Sequence, residues 1–143
     1  MRVDLGWDTR VVLLAAGLMF LWALLLGVLK YRQMTAAAEG LAHPYTDTAH
    51  RAALLYSFAL LLVAAFVELG EWGAAVNMAA AGAMAFYFFL AVGSYNLHGL
   101  RRDTDNQMRD PAPTLHAFMW SLIAVEIGAW LVLLAGFVAA QIL

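Results

Sequence analysis

The chain contains no cysteine, which excludes disulfides, thiolate nucleophiles and cysteine metal sites in one step. It is also poor in charge. Only 13% of its 143 residues are Asp, Glu, Lys or Arg, where a soluble domain carries about a quarter. It lacks a long linker, a low-complexity tail and a convincing internal repeat. The formal net charge of −2 names no partner, and nucleic acid is not expected as one.

What is present is apolar. Hydrophobic residues make up 64% of the chain and its mean hydropathy is +0.77, so it reads as an integral membrane protein, with membrane lipids as its surroundings. A span needs roughly 20 apolar residues, and four such segments fill the sequence as a single membrane domain, residues 1–143. They are predicted at about 11–29, 49–69, 74–97 and 114–140, giving an all-α, four-helix membrane bundle. The rival reading of the first is a signal peptide, with Ala36 to Ala38 as a cleavage site. Its length and the following Lys30, Tyr31 and Arg32 instead mark a stop-transfer flank.

Between the spans, residues 30–49 and 98–113 form two polar loops. His43-Pro44 favours extended backbone, and Thr46, Asp47 or Thr48 is expected to cap the second helix. Pro111 and Pro113 suit the first turn of the fourth. Ala75, Ala79 and Ala83 recur every four residues on the third span, a spacing that lets helices approach closely and is expected to serve packing inside the bundle. Lys30, Arg32, Arg51, Arg101, Arg102 and Arg109 lie on the side of the two loops, and only Arg2 and Arg10 on the other. The positive-inside rule therefore makes the loops cytoplasmic and both termini extracytoplasmic.

This orientation gathers His43, His50, His98 and His116 at the cytoplasmic mouth with Tyr45, Asp47, Tyr95, Asp103 and Asp105. Histidine binds transition metals without help from cysteine, and His50 and His98, at similar depth on different spans, could hold a haem iron between them. No His-x3-His or Glu-x-x-His pair supports a dedicated metal site, so no metal ligand is assigned; interfacial, loop-capping histidines are the alternative. Arg51, Arg101 and Arg102 offer planar forks for an anionic ligand, with His50, His98, Tyr56 and Tyr87 as further candidate ligand-binding groups. Tyr87, Ala91, Tyr95, His98 and Arg102 fall in one row of helical spacing. The alternative is that basic residues snorkel to headgroups and tyrosines mark the interface.

Two acidic residues lie within or at the ends of spans away from this mouth. Glu126, at about 1.5 Å per residue from Thr114, lies roughly 18 Å into a core about 30 Å thick. An ionisable group there is costly and is a candidate functional group, either a proton or cation site or a carboxyl bonded to a neighbouring helix. Glu68 is expected to be solvated or paired with Arg10.

The four-span layout, the cytoplasmic polar mouth and the phrase AHRAALLYSF opening span two resemble the membrane-associated proteins of eicosanoid and glutathione metabolism (the MAPEG family). Tyr95 and Arg102 stand at that family's tyrosine-to-arginine spacing at the end of span three. The resemblance implies a trimer acting on a lipidic partner, with Tyr95 and Arg102 catalytic, Arg102 stabilising a glutathione-like thiolate, and Arg51 near the tripeptide carboxylates. This sequence departs from the family after Arg51, where Ala52, Ala53, Leu54 and Leu55 replace the polar residues that hold glutathione. The HPY, AHRAALLYSF and RDTDNQ phrases are also similar to those of bacterial, actinobacterial-type four-span proteins of the inner membrane, a likeness that implies no activity. Three classes therefore stand: a MAPEG-like enzyme with an anionic or thiol cosubstrate, a haem- or metal-binding subunit, and a non-catalytic accessory subunit of a larger membrane complex.

Overall fold

The computed structural model describes residues 4–143; Met1, Arg2 and Val3, and with them the orientation reading of Arg2, lie outside the described residues. Four helices occupy nearly the whole length: α1 Trp7–Ala36, α2 Pro44–Leu69, α3 Ala74–Arg101 and α4 Pro113–Gln141. Each is long and apolar enough to cross a membrane. The chain is a multi-pass helical bundle, run up and down, with loops 37–43 and 102–112 at one end (the loop end) and the 70–73 turn with both chain ends at the other (the terminal end).

Every helix outruns its apolar stretch, because backbone hydrogen bonding continues into the interface where polar side chains find water. At the start of α2 the cap is His43 and not the expected Thr46, Asp47 or Thr48. Its Nδ1 accepts from the Tyr45 N–H at 3.3 Å, and Pro44 fills the first helical position, where its missing donor costs nothing. α3 continues through His98 and Gly99 to Arg101 and ends when Arg102 enters the left-handed region at φ 53°. The residues His98 to Arg101, expected in the loop, are thus helical.

α1 and α2 form the tightest pair. The buried positions of α1, Val12, Ala16, Met19, Ala23 and Leu26, alternate steps of four and three, the spacing of a left-handed supercoiled seam. Ala49 and Ala53 of α2 meet them fully buried, and these small side chains bring the backbones close. On α3 the packed row is Asn77, Ala80, Ala81, Met84, Phe88 and Val92. Ala75 and Ala79 are exposed, so the row expected to pack the bundle faces outward; neighbouring Ala80 and Ala81 take its place.

α4 is the most peripheral helix, with only Leu133 and Gly136 buried. It does not pack on α1 among the described residues. Its grip is at the terminal end. The Trp72 indole N–H donates to Val132 O at 2.7 Å, Glu71 N–H to Gly136 O at 3.1 Å and Gln141 Nε2 to Leu69 O at 2.9 Å. Halfway along, the Tyr87 hydroxyl of α3 donates to Ser121 Oγ at 3.0 Å. Nearer the loop end α3 and α4 part.

Candidate functional site

The parting leaves an open cavity of about 630 Å³ beneath the 102–112 loop. Its wall is apolar, from Leu90 of α3 and Leu115 and Phe118 of α4, and its rim is polar, from Ser94, His98, Thr104, Asn106, Gln107, Arg109 and Asp110. Pockets of this size and lining hold small molecules.

Local chemistry explains how the rim is held. His98 lies one turn from the end of α3, and its Nδ1 is 2.6 Å from Asp103 Oδ1. A carboxylate only accepts, so Nδ1 carries the hydrogen and Nε2 is left as the basic nitrogen. The His98 bond holds the Asp103 carboxyl below the usual carboxylate range. The His98 ring packs on Tyr45 with centroids 5.5 Å apart, and Tyr45 stacks on Tyr95 at 6.0 Å. The Tyr45 hydroxyl in turn accepts the Gln107 N–H at 2.8 Å. One tyrosine of α2 thereby ties the loop to the bundle. The Gln107 side-chain Nε2 is buried without an acceptor among the described residues.

Beside this cavity the α2 start is locked in place. Gln33 of α1 accepts His43 N–H at 2.9 Å and donates to Gly99 O at 3.2 Å. Thr46 is fully buried against Gly99, where an added Cβ would lie 2.8 Å from the Thr46 backbone nitrogen. Only glycine permits that approach.

The expected site residues divide among several places. His98 lines the cavity, and Tyr95 stands behind it in the aromatic stack. Arg51 is on the surface of α2, bonded to Asp47 at 2.8 Å, with Lys30 on the same carboxylate at 2.6 Å. Arg101 and Arg102 are exposed; Arg102 lines a separate groove of about 290 Å³ with Glu39, Leu41 and His43. His50 turns away from His98, with its Nδ1 2.9 Å from Ala23 O and its ring against Gly27 of α1. The two rings therefore do not bracket a common point, and among the described residues no three His, Asp or Glu side chains form a metal-binding group. His116 is exposed on α4.

Deeper residues have packing roles. Tyr56 stacks on Phe88 with centroids 4.2 Å apart, and Tyr87 bonds Ser121 as described. Glu126 lies on the inward side of α4 with Oε1 buried and unpartnered among the described residues. Glu68 does not pair with Arg10 among the described residues; it accepts from Thr9 Oγ1 at 2.5 Å and from Gly6 N–H at 3.2 Å. Ser94 and Gln107 were not legible as site residues, although Ser94 and His98 are four apart, a same-face spacing once α3 is extended past Leu97.

No protein family, curated protein or solved structure matches the chain in the comparisons made.

Proposed function

We propose that the protein binds an amphiphile at the loop end, with the apolar part between α3 and α4 and the polar head under the 102–112 loop. The supporting observation is the cavity itself: an apolar wall on the membrane side and a polar rim on the loop side, in one continuous space of about 630 Å³. The rim carries both signs. Arg109 pairs with Asp105 at 3.2 Å, and Asp110 adds a carboxylate, which suits a zwitterionic or neutral polar head better than a strongly anionic one. A glutathione-like ligand needs Arg51 and Arg102 at the same place as Tyr95, and neither arginine lines this cavity. The basic residues at the loop end favour a cytoplasmic orientation for it.

Native mass spectrometry of protein purified in mild detergent tests the reading. Wild type is expected to retain an amphiphile, and Leu115→Trp, which fills the cavity, to lose it. Leu61→Trp on the outward face of α2 is the control and keeps it. Absence of any bound amphiphile from folded wild type would refute the proposal.

A second reading, assembly with another membrane chain, is favoured by the outward position of Ala75 and Ala79. It predicts that Ala79→Leu removes a co-purifying chain without unfolding the bundle.

A further inference from the structure

Three features of the cavity are not needed for binding alone. Ser94 and His98 stand four residues apart on α3, and both line the cavity. Residues four apart on a helix share a face, so Ser94 and His98 lie on the same side of α3. Asp103 holds Nδ1 at 2.6 Å, which leaves Nε2 as the nitrogen available to the serine hydroxyl. Finally, Gln107 lines the same cavity with a buried amide Nε2 that has no acceptor among the described residues. A buried donor without an acceptor costs about 1–3 kcal/mol, a cost removed by any ligand oxygen placed against it. A candidate nucleophile and an oriented base line one space, and a residue of its rim carries an unused hydrogen-bond donor.

We propose that this cavity is an acyl-transfer site for carboxylic esters of lipid-like chains, with Ser94 as nucleophile, His98 as general base and Gln107 Nε2 as donor to the oxyanion. Asp103 is a positioning residue. The inference rests on the amphiphile-binding reading and deepens it by naming the substrate class. Ser94 Oγ attacks the ester carbonyl carbon while its proton passes to His98 Nε2, and the carbonyl oxygen becomes an oxyanion bonded by Gln107. The bond from carbon to the alcohol oxygen then breaks, and the imidazolium returns the proton to the departing alcohol. Water, deprotonated by His98, attacks the acyl-serine, releasing a carboxylic acid and restoring Ser94. No oxidant or further co-reactant is required. The site differs from the usual serine triad only in drawing nucleophile and base from one helix.

The other ionisable groups around the ring are Tyr45 and Tyr95 in the aromatic stack and Arg109 and Asp110 in the loop.

A long-chain alkyl fluorophosphonate, which modifies activated serines, supplies the test on the full chain in mild detergent. The expected result is an adduct mapped by peptide mass spectrometry to Ser94. Ser94→Ala is expected to abolish labelling, His98→Ala to slow it at least about 10²-fold and Gln107→Ala about 10²-fold. Asp103→Ala is expected to slow it, with Asp103→Glu restoring the rate. Ser121→Ala, whose hydroxyl is already bonded to Phe118 O at 2.8 Å, leaves labelling unchanged. Mapping the adduct on wild type keeps the test independent of how the variants fold. Protein that retains its amphiphile but gains no Ser94 adduct, or labels equally without His98, overturns the acyl-transfer site and leaves the binding reading standing. Loss of both amphiphile and adduct overturns the two together.

Discussion

The two ends of the bundle treat their polar groups in opposite ways. At the terminal end, Asp8, Thr9 and Asn77 are all buried and are spent on one another, on Glu68 and on the backbone. Asn77 Nδ2 donates to Asp8 Oδ2 at 2.9 Å, Trp72 O at 3.1 Å and Val67 O at 3.2 Å, and Glu68 closes the start of α1. At the loop end the polar groups surround an open cavity. Among the described residues, buried amide atoms are left unpartnered at both ends, Asn77 Oδ1 at the terminal end and Asn96 Oδ1 and Gln107 Nε2 at the loop end, and of these three residues only Gln107 lines the cavity. The terminal end is therefore a structural clamp and the loop end holds the candidate site, a distinction that composition alone does not make.

The largest expected effect is at a glycine that shapes the loop end. Gly99→Leu forces α2 and α3 apart at Thr46 and is expected to cost about 3 kcal/mol or more, above the range for ordinary overpacking, measured as a fall in the thermal midpoint. Gly128→Ala, on a helix face where nothing approaches, should leave that midpoint within about 0.5 kcal/mol of wild type. Next comes the clamp: Asn77→Leu removes the amide bond to the buried Asp8 carboxylate and is expected to cost about 1–3 kcal/mol, with amphiphile retention unchanged. If retention fell with stability in that variant, the two ends would not be separable.

Two smaller effects sharpen the contrast. Tyr87→Phe removes the hydroxyl bond to Ser121 and should cost about 0.6 kcal/mol, the mean for such bonds between membrane helices. The last is a pH effect. Because the Asp103 carboxyl titrates below its unfolded value, its bond to His98 contributes stability above the ordinary carboxylate range, and that contribution disappears as pH falls through the depressed pKa. Wild type and Asp103→Ala should therefore differ in thermal midpoint at neutral pH and converge in acid. A difference that persisted below pH 2 would show that the carboxylate is not the cause.

The four helices were legible because apolar runs of span length, bounded by polar segments, have no other stable form in a membrane. Helix ends were less so: α3 continues through His98 because charged residues tolerate helix at an interface, and a reading based on hydropathy stops at Leu97. Ser94 was hidden for a different reason: the helical row through Tyr87, Tyr95, His98 and Arg102 passes it by, and the tie from Gln107 to Tyr45, 62 residues apart, has no local signal. The small-residue row failed for another reason. Spacing shows that Ala75, Ala79 and Ala83 share a face, but which face packs is decided by where Asn77 and Phe88 go.

Amphiphile binding at the loop end is tested most directly with a zwitterionic phospholipid carrying a photoreactive group along its acyl chain, crosslinked to the protein in vesicles and mapped by mass spectrometry. The expected result is a saturable crosslink set concentrated on Leu90, Leu115 and Phe118, competed by unlabelled lipid and lost in Leu115→Trp. Crosslinks spread evenly over outward residues such as Leu14, Leu61 and Leu131, with no saturable component at the cavity, would contradict it.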